Sequence, residues 1–132
     1  MRKSVWAFLA LTSCATHSVH PLRPLPIPTA YYVEGAAVDN LSGSLTYEDG
    51  CLGFRVEGGE RLLPIWPKDS IFNGTSLTFH MPGKGDQPLL INQEIEIGGE
   101  RLPAAYAQRN FAENFQRCGG APFFVTAVRP AD

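Results

Sequence analysis

The chain has no hydrophobic run long enough to span a bilayer. Its apolar stretch from Val5 to Leu11 falls far short of the roughly 20 residues that a transmembrane helix needs. A run of Lys and Arg is also missing. The chain has 11 basic and 13 acidic residues, for a formal net charge of −2. Since nucleic-acid binding depends on neutralising phosphates, this composition argues against a nucleic-acid partner and against a polybasic membrane patch.

Recognisable catalytic motifs are missing as well. No serine lies in a nucleophile elbow, and neither Gly-Gly pair belongs to a phosphate-binding motif. Histidine is scarce, and His80 is the only one beyond the N-terminal region; on the polar face of its predicted strand, a solvated histidine is the better interpretation than a general base. No Cys or His lies at ligand spacing from Cys51 or Cys118. The sequence therefore predicts no enzyme, no metal site and no cofactor.

The N-terminus carries the most specific pattern in the chain. Arg2 and Lys3 precede the apolar stretch, which ends in Leu11-Thr12-Ser13-Cys14. This pattern resembles a bacterial lipoprotein signal, which is cleaved before a cysteine that receives acyl chains. The resemblance implies removal of residues 1–13 and a membrane anchor at Cys14. An ordinary secretory signal, cut near Ala15 or Thr16, is the alternative.

The lipoprotein resemblance also implies a location. Its signal for retention at the inner membrane is usually Asp after the lipidated cysteine, whereas this chain has Ala15. We therefore expect a lipid-anchored protein of the bacterial envelope, on the periplasmic face of the outer membrane. Once Cys14 is lipidated, Cys51 and Cys118 remain as a pair in an oxidising compartment, which predicts a disulfide. Closing so long a loop stabilises the fold by about 4 kcal/mol; two free buried thiols are the alternative.

Residues 14–35 are predicted to form the anchor and a proline-rich tether, and residues 36–132 a single small domain. The four prolines between Pro21 and Pro28 favour an extended polyproline II segment, which would hold the domain about 40 Å from the lipid surface. A PxxP ligand, from Pro21 to Pro24, is the other interpretation of this segment.

The domain is predicted to be mainly β. Alternating apolar residues and turn residues indicate strands at 41–48, 51–57, 62–66, 76–80, 89–97 and 123–128. We expect a hairpin turn at Gly58-Gly59, a loop from Met81 to Asp86, and a strand end at Gly98-Gly99. Helical spacing from Ala104 to Phe115 predicts one short helix before the last strand. The fold class is therefore a small five- to six-stranded, OB-like barrel.

Two segments, Gly58 to Leu62 and Gly98 to Leu102, are identical. Their flanks do not align, so two similar turns explain them better than a duplication. Elsewhere, the chain combines Gly50-Cys51-Leu52, Leu63-Pro64-Ile65-Trp66-Pro67 and Cys118-Gly119-Gly120-Ala121-Pro122-Phe123. This set resembles small envelope proteins of uncharacterised function with an OB-like barrel. The resemblance implies a fold and brings no activity, and a helix before the last strand departs from the usual OB arrangement.

These observations lead to an expected function without a named ligand. We expect a non-catalytic binding or structural module of the cell envelope, with an envelope protein or a glycan as partner. Its contact surface is predicted to include Trp66, His80 and Lys84, although Trp66 is better explained as a core residue. Glu94 and Glu96 share one strand face and are interpreted as exposed charges. The alternatives are an inhibitor of a periplasmic hydrolase and, less favoured, a small enzyme that uses His80 with a carboxylate.

Overall fold

The computed structural model describes residues 25–31, 39–81 and 85–131, with the backbone alone at 80–81 and 85–87. Cys14 and Lys84 therefore lie outside the described residues. Within these ranges the elements are β1 (Thr29–Ala30), β2 (Asp39–Glu48), β3 (Cys51–Val56), β4 (Arg61–Pro67), β5 (Ile71–Phe72), β6 (Ser76–Met81), β7 (Gly85–Leu90), β8 (Glu94–Arg101), α1 (Ala104–Asn110), α2 (Ala112–Cys118) and β9 (Ala121–Pro130). Neither helix has the length and apolar character to cross a membrane.

Five strands close into a ring in the order β4-β3-β2-β8-β9, with β9 returning to β4. All pairings in the ring are antiparallel except β4 with β9, which run parallel from Leu62 opposite Ala121 to Ile65 opposite Phe124. The short strand β1 extends the sheet beside the end of β4. This mainly β, OB-like barrel confirms the predicted fold class.

Two excursions leave the ring at opposite ends. A three-stranded antiparallel sheet, β5-β6-β7, connects the end of β4 to the start of β8. The helices α1 and α2 connect the end of β8 to the start of β9. Because β8 runs antiparallel to β9 and β9 parallel to β4, the small sheet and the helices lie at opposite ends of the barrel.

Side chains from the barrel and the small sheet form one core. Its strand residues alternate as the sequence predicts, so that Leu45, Phe54, Leu77 and Phe79 are 0–1% exposed. The buried members of the core are Leu45, Leu52, Phe54, Leu62, Trp66, Phe72, Leu77, Phe79, Leu89, Ile95, Ile97, Phe123 and Val125. The predicted strand at 62–66 is covered on both faces, as expected from its apolar residues.

The predicted strand at 89–97 is wrong, because the chain turns within it. β7 ends at Leu90 and β8 begins at Glu94. Asn92 adopts a positive φ of 69°, and the Leu90 amide donates to the side-chain oxygen of Gln93. Asn tolerates this backbone region better than most residues. The loop predicted from Met81 to Asp86 is also shorter, since β6 reaches Met81 and β7 begins at Gly85.

Glycine pairs have different roles at the two identical segments. Gly58 and Gly59 make the expected turn, with φ values of 105° and 107°. In contrast, Gly98 and Gly99 lie inside β8 at a register shift opposite β9. A Cβ on Gly99 would overlap the carbonyl oxygen of Phe124, so glycine here permits close approach of two strands. The predicted strand end at this pair is corrected accordingly.

The predicted helical segment before the last strand is present, but as two short helices. They meet at Phe111, whose φ of −138° and ψ of 45° interrupt the helix. Part of the predicted tether also belongs to the barrel: the Trp66 amide donates to the Pro28 carbonyl at 3.0 Å and the Lys68 amide donates to the Ala30 carbonyl at 2.6 Å. Residues 25–31, which the sequence places in the predicted tether, therefore contact the barrel.

Candidate functional site

The predicted disulfide is present and links α2 to the start of β3. Cys51 and Cys118 are 67 residues apart in the sequence, with their Cα atoms separated by 5.6 Å. No residue of α2 is fully buried, and its contact with the barrel is at β3. The disulfide is therefore the covalent link that holds a weakly packed helix against the barrel.

The outer face of β4 carries buried apolar residues, and the helix pair contacts the strands on either side of it. Leu63 and Ile65 alternate with the core-facing Leu62 and Trp66, yet they are only 1% and 0% exposed. α2 contacts β3 and α1 contacts β9, which are the two neighbours of β4 in the ring. Ala107 of α1 is itself completely buried. The helices thus lie against the two strands that flank β4 in the ring.

Trp66 does not lie on a contact surface. Its side chain is 0% exposed and packs edge-to-face on Phe79, with ring centroids 5.9 Å apart. Its indole nitrogen is buried without a hydrogen-bond partner among the described residues. This position corrects the expectation that Trp66 lies on the contact surface, because its side chain is completely buried in the core.

The other two predicted contact residues are His80 and Lys84. His80 is in β6 and its backbone pairs with that of Asp86 in β7, whereas its side chain is outside the described residues. Lys84 falls outside them altogether. A general base at His80 would need a carboxylate within hydrogen-bond reach. The strand register places Asp86 opposite His80.

A polar groove of about 1020 Å³ crosses the outside of the barrel. Its floor includes β2, where Ser42 and Ser44 present small side chains and Gly43 has none. A Cβ on Gly43 would overlap the carbonyl oxygen of Arg55, so glycine permits β2 and β3 to approach closely. The floor consequently has backbone and hydroxyl groups accessible along an extended strand.

Charged side chains from the neighbouring strands border this floor in two rows. Ser44 pairs with Arg55 of β3 on one side and with Glu94 of β8 on the other. Ser42 pairs with Glu96, which in turn pairs with Arg129 of β9. Because paired residues of antiparallel strands project to the same side of a sheet, both rows face the groove.

Ion pairs within the groove leave some charges unpaired among the described residues. Arg129 forms a salt bridge with Glu96, and Arg55 lies 3.8 Å from Glu48, which is outside the groove. The groove carboxylates of Glu57 and Glu94 have no ion-pair partner in the described part of the chain. The groove therefore combines two guanidinium groups with carboxylates available to a ligand.

The shifted ionisable groups lie elsewhere. A hydrogen bond from Arg101 lowers the pKa of Glu60, and a hydrogen bond with Tyr31 raises the pKa of Lys68. Across residues 25–31, 39–81 and 85–131, no group of three or more His, Cys, Asp or Glu residues has the geometry to hold a metal ion. The groove is lined by residues of β2, β3, β8 and β9 and of the turn after β3.

Comparison with protein-family models, with curated proteins and with solved structures finds no match to this chain. The sequence placed Glu94 and Glu96 on one face, and the register agrees with that placement. The sequence did not predict that Arg55 and Arg129 lie on the same surface, because that prediction requires the strand order of the closed ring. The available signal was the polar alternation of Ser42 and Ser44 within β2.

Proposed function

We propose that the protein is a lipid-anchored, non-catalytic binding module of the bacterial envelope and that the polar groove is its contact surface. The observation that carries this proposal is the strand register, which brings Arg55, Glu94 and Arg129 around a floor of small residues. The backbone of paired strands is already ordered before binding, which favours recognition over a loop-borne site.

The groove favours an elongated, polar ligand that carries charges of both signs. Glu57 and Glu94 fit amino groups, whereas Arg55 and Arg129 fit carboxylate or phosphate oxygens. The small floor residues permit the backbone of an extended chain to approach β2. Such a ligand would be a peptide, or a glycan that bears amino and acidic groups.

Photocrosslinking in the intact envelope tests this surface. A photoreactive residue at Ser44 should yield a discrete adduct, while one at Glu113, exposed on α2, should not. Charge reversal by Glu94→Lys should reduce the yield by about tenfold, since opposed like charges weaken an interface strongly. Glu113→Lys is the matched control for the change in net charge. Equal labelling at both positions would contradict the groove as the contact surface.

The anchor is tested separately. Cys14→Ser should release the protein from the membrane fraction and remove the mass of the acyl chains, because stable attachment depends on those chains. Unchanged partitioning and mass would contradict lipidation. A crosslink at Ser44 in the released protein would show that groove binding survives without the anchor.

A further inference from the structure

The exposed large hydrophobic side chains of the described residues share one end of the barrel. They are Tyr31, Ile71 and Leu90, at 73%, 49% and 58% exposure. Tyr31 follows β1, which pairs with the end of β4, and the other two belong to the small sheet that leaves from that end. Isolated exposed hydrophobic residues are common, but their concentration at one end calls for a physical explanation.

The outer face of the small sheet carries exposed apolar residues beside the polar Ser76 and Thr78, whereas its inner face is buried. Phe72, Leu77 and Leu89 point into the core. On the opposite side, Ile71 aligns with Thr78, which aligns with the exposed Pro88. Leu90 lies two residues beyond Pro88 and therefore projects from the same side. This outer face, with Ile71, Pro88 and Leu90, is called the apolar sheet face below.

Tyr31 and Lys68 flank the same end with a different chemistry. The ammonium of Lys68 lies 4.5 Å from the centroid of the Tyr31 ring and donates a hydrogen bond to its hydroxyl at 3.1 Å. Lys68 is only three residues before Ile71 in the sequence. An aromatic ring with a polar tip beside a lysine is typical of surfaces that meet an apolar phase and water together.

The N-terminal segment reaches the barrel beside the apolar sheet face. Leu25 forms a bridge with Phe72 of β5, and its amide donates to the Phe72 carbonyl at 2.7 Å. Between Cys14 and Leu25 the chain can extend to at most about 40 Å. An acyl anchor at Cys14 would therefore be joined to the barrel at this end, which can approach the lipid only if the tether is less extended than the polyproline II prediction.

We propose that the apolar sheet face rests on the lipid bilayer and orients the barrel, with Ile71 and Leu90 in the interfacial region. This proposal rests on the anchor in the proposed function. So small an apolar surface binds a bilayer weakly by itself, but an anchor raises its local concentration at the membrane. The bilayer is favoured over a soluble partner because the attachment point and the apolar side chains coincide at one end of the fold.

Tryptophan quenching tests the orientation. The mature chain from Cys14 is attached to vesicles of phosphatidylethanolamine and phosphatidylglycerol that carry brominated acyl chains. Native Trp66 is fully buried and supplies a background that is not quenched. Because interfacial surfaces insert about 5–10 Å, Ile71→Trp and Leu90→Trp should lose about half of their added fluorescence. Glu113→Trp, on the exposed side of α2, is the control and should lose little.

Two forms of attachment separate this proposal from the proposed anchor. One is the protein purified from membranes, whose mass shows whether Cys14 is acylated. The other is coupled through the Cys14 thiol to a maleimide lipid, since Cys51 and Cys118 are bonded to each other. Selective quenching at 71 and 90 in the coupled form supports the face even if the native protein carries no acyl chain.

Equal quenching at 71 and 113 in the coupled form would overturn the proposal, as would no quenching at either. A dimer in vesicle-free solution that Ile71→Ser converts to monomer would also overturn it and would assign the face to a second copy of the chain. Ile71→Ser is suitable because Ile71 is half exposed, and its retained thermal stability would verify folding.

Discussion

Arg101 donates two hydrogen bonds to Glu60, from Nη1 to Oε2 and from Nη2 to Oε1, both 2.8 Å long. The pair connects the turn between β3 and β4 to the end of β8. It also joins the two identical segments, because Glu60 comes from the first and Arg101 from the second. Bidentate geometry makes this pair more specific than an ordinary surface ion pair.

This pair predicts a defined dependence of stability on pH. The hydrogen bond from Arg101 lowers the pKa of Glu60 below its ordinary value of 4.5. The pair therefore stabilises the fold fully above that value and ceases to do so as pH falls through the lower, folded-state pKa. Thermal unfolding of wild type and Glu60→Gln should differ near neutral pH and converge in acid. The control Glu113→Gln should follow wild type, and a gap that widens in acid would contradict the prediction.

The disulfide predicts that α2 depends on covalent attachment. Replacing Cys51 and Cys118 together by serine should lower the free energy of unfolding by about 4 kcal/mol. Amide hydrogen exchange should increase first in α2, which has no fully buried residue, while the core strands β3 and β4 exchange more slowly. A uniform increase across the barrel would show instead that the disulfide stabilises the whole fold equally.

Two glycines of the barrel should not tolerate alanine. A Cβ on Gly43 would overlap Arg55, and one on Gly99 would overlap Phe124, in each case at the backbone carbonyl. We expect Gly43→Ala and Gly99→Ala to destabilise the protein by about 1–3 kcal/mol, because backbone must move. Gly53→Ala is the control: its Cβ would meet the Thr46 hydroxyl at 3.1 Å and would come no closer than 3.5 Å to backbone, at the Leu62 carbonyl oxygen. Chemical denaturation measures all three, and equal losses would refute the argument.

The sequence predicted those parts of the fold that depend on alternation. Leu45, Phe54, Leu77 and Phe79 are buried as expected, because one face of each strand meets the core whatever the strand order. The pair Cys51 and Cys118 was also predicted, from the number of cysteines and the expected oxidising compartment. Strand alternation is a local property, and two remaining cysteines allow only one pairing. Neither prediction requires knowledge of how the barrel closes.

Other features of the fold depend on tertiary contacts that the amino-acid sequence alone does not reveal. Gly98 and Gly99 read as a turn, yet the close approach of β9 keeps them within a strand. Trp66 has a surface-compatible setting between prolines, but the small sheet supplies Phe79 to cover it. The groove is distributed over β2, β3, β8 and β9, so its composition follows only from the ring order.

The N-terminal segment gives the prediction that most directly tests the domain boundary. Residues 25–31 add a strand to β4, and Leu25 and Ile27 pack against the core. A chain that begins at residue 36 loses these contacts and exposes the edge beside Trp66, so we expect a loss of about 2–4 kcal/mol relative to one that begins at residue 25. A chain beginning at residue 20 is the control for length and should match the latter. Denaturant titration compares the three, and equal stability of the first two would show that the segment rests on the barrel without stabilising it.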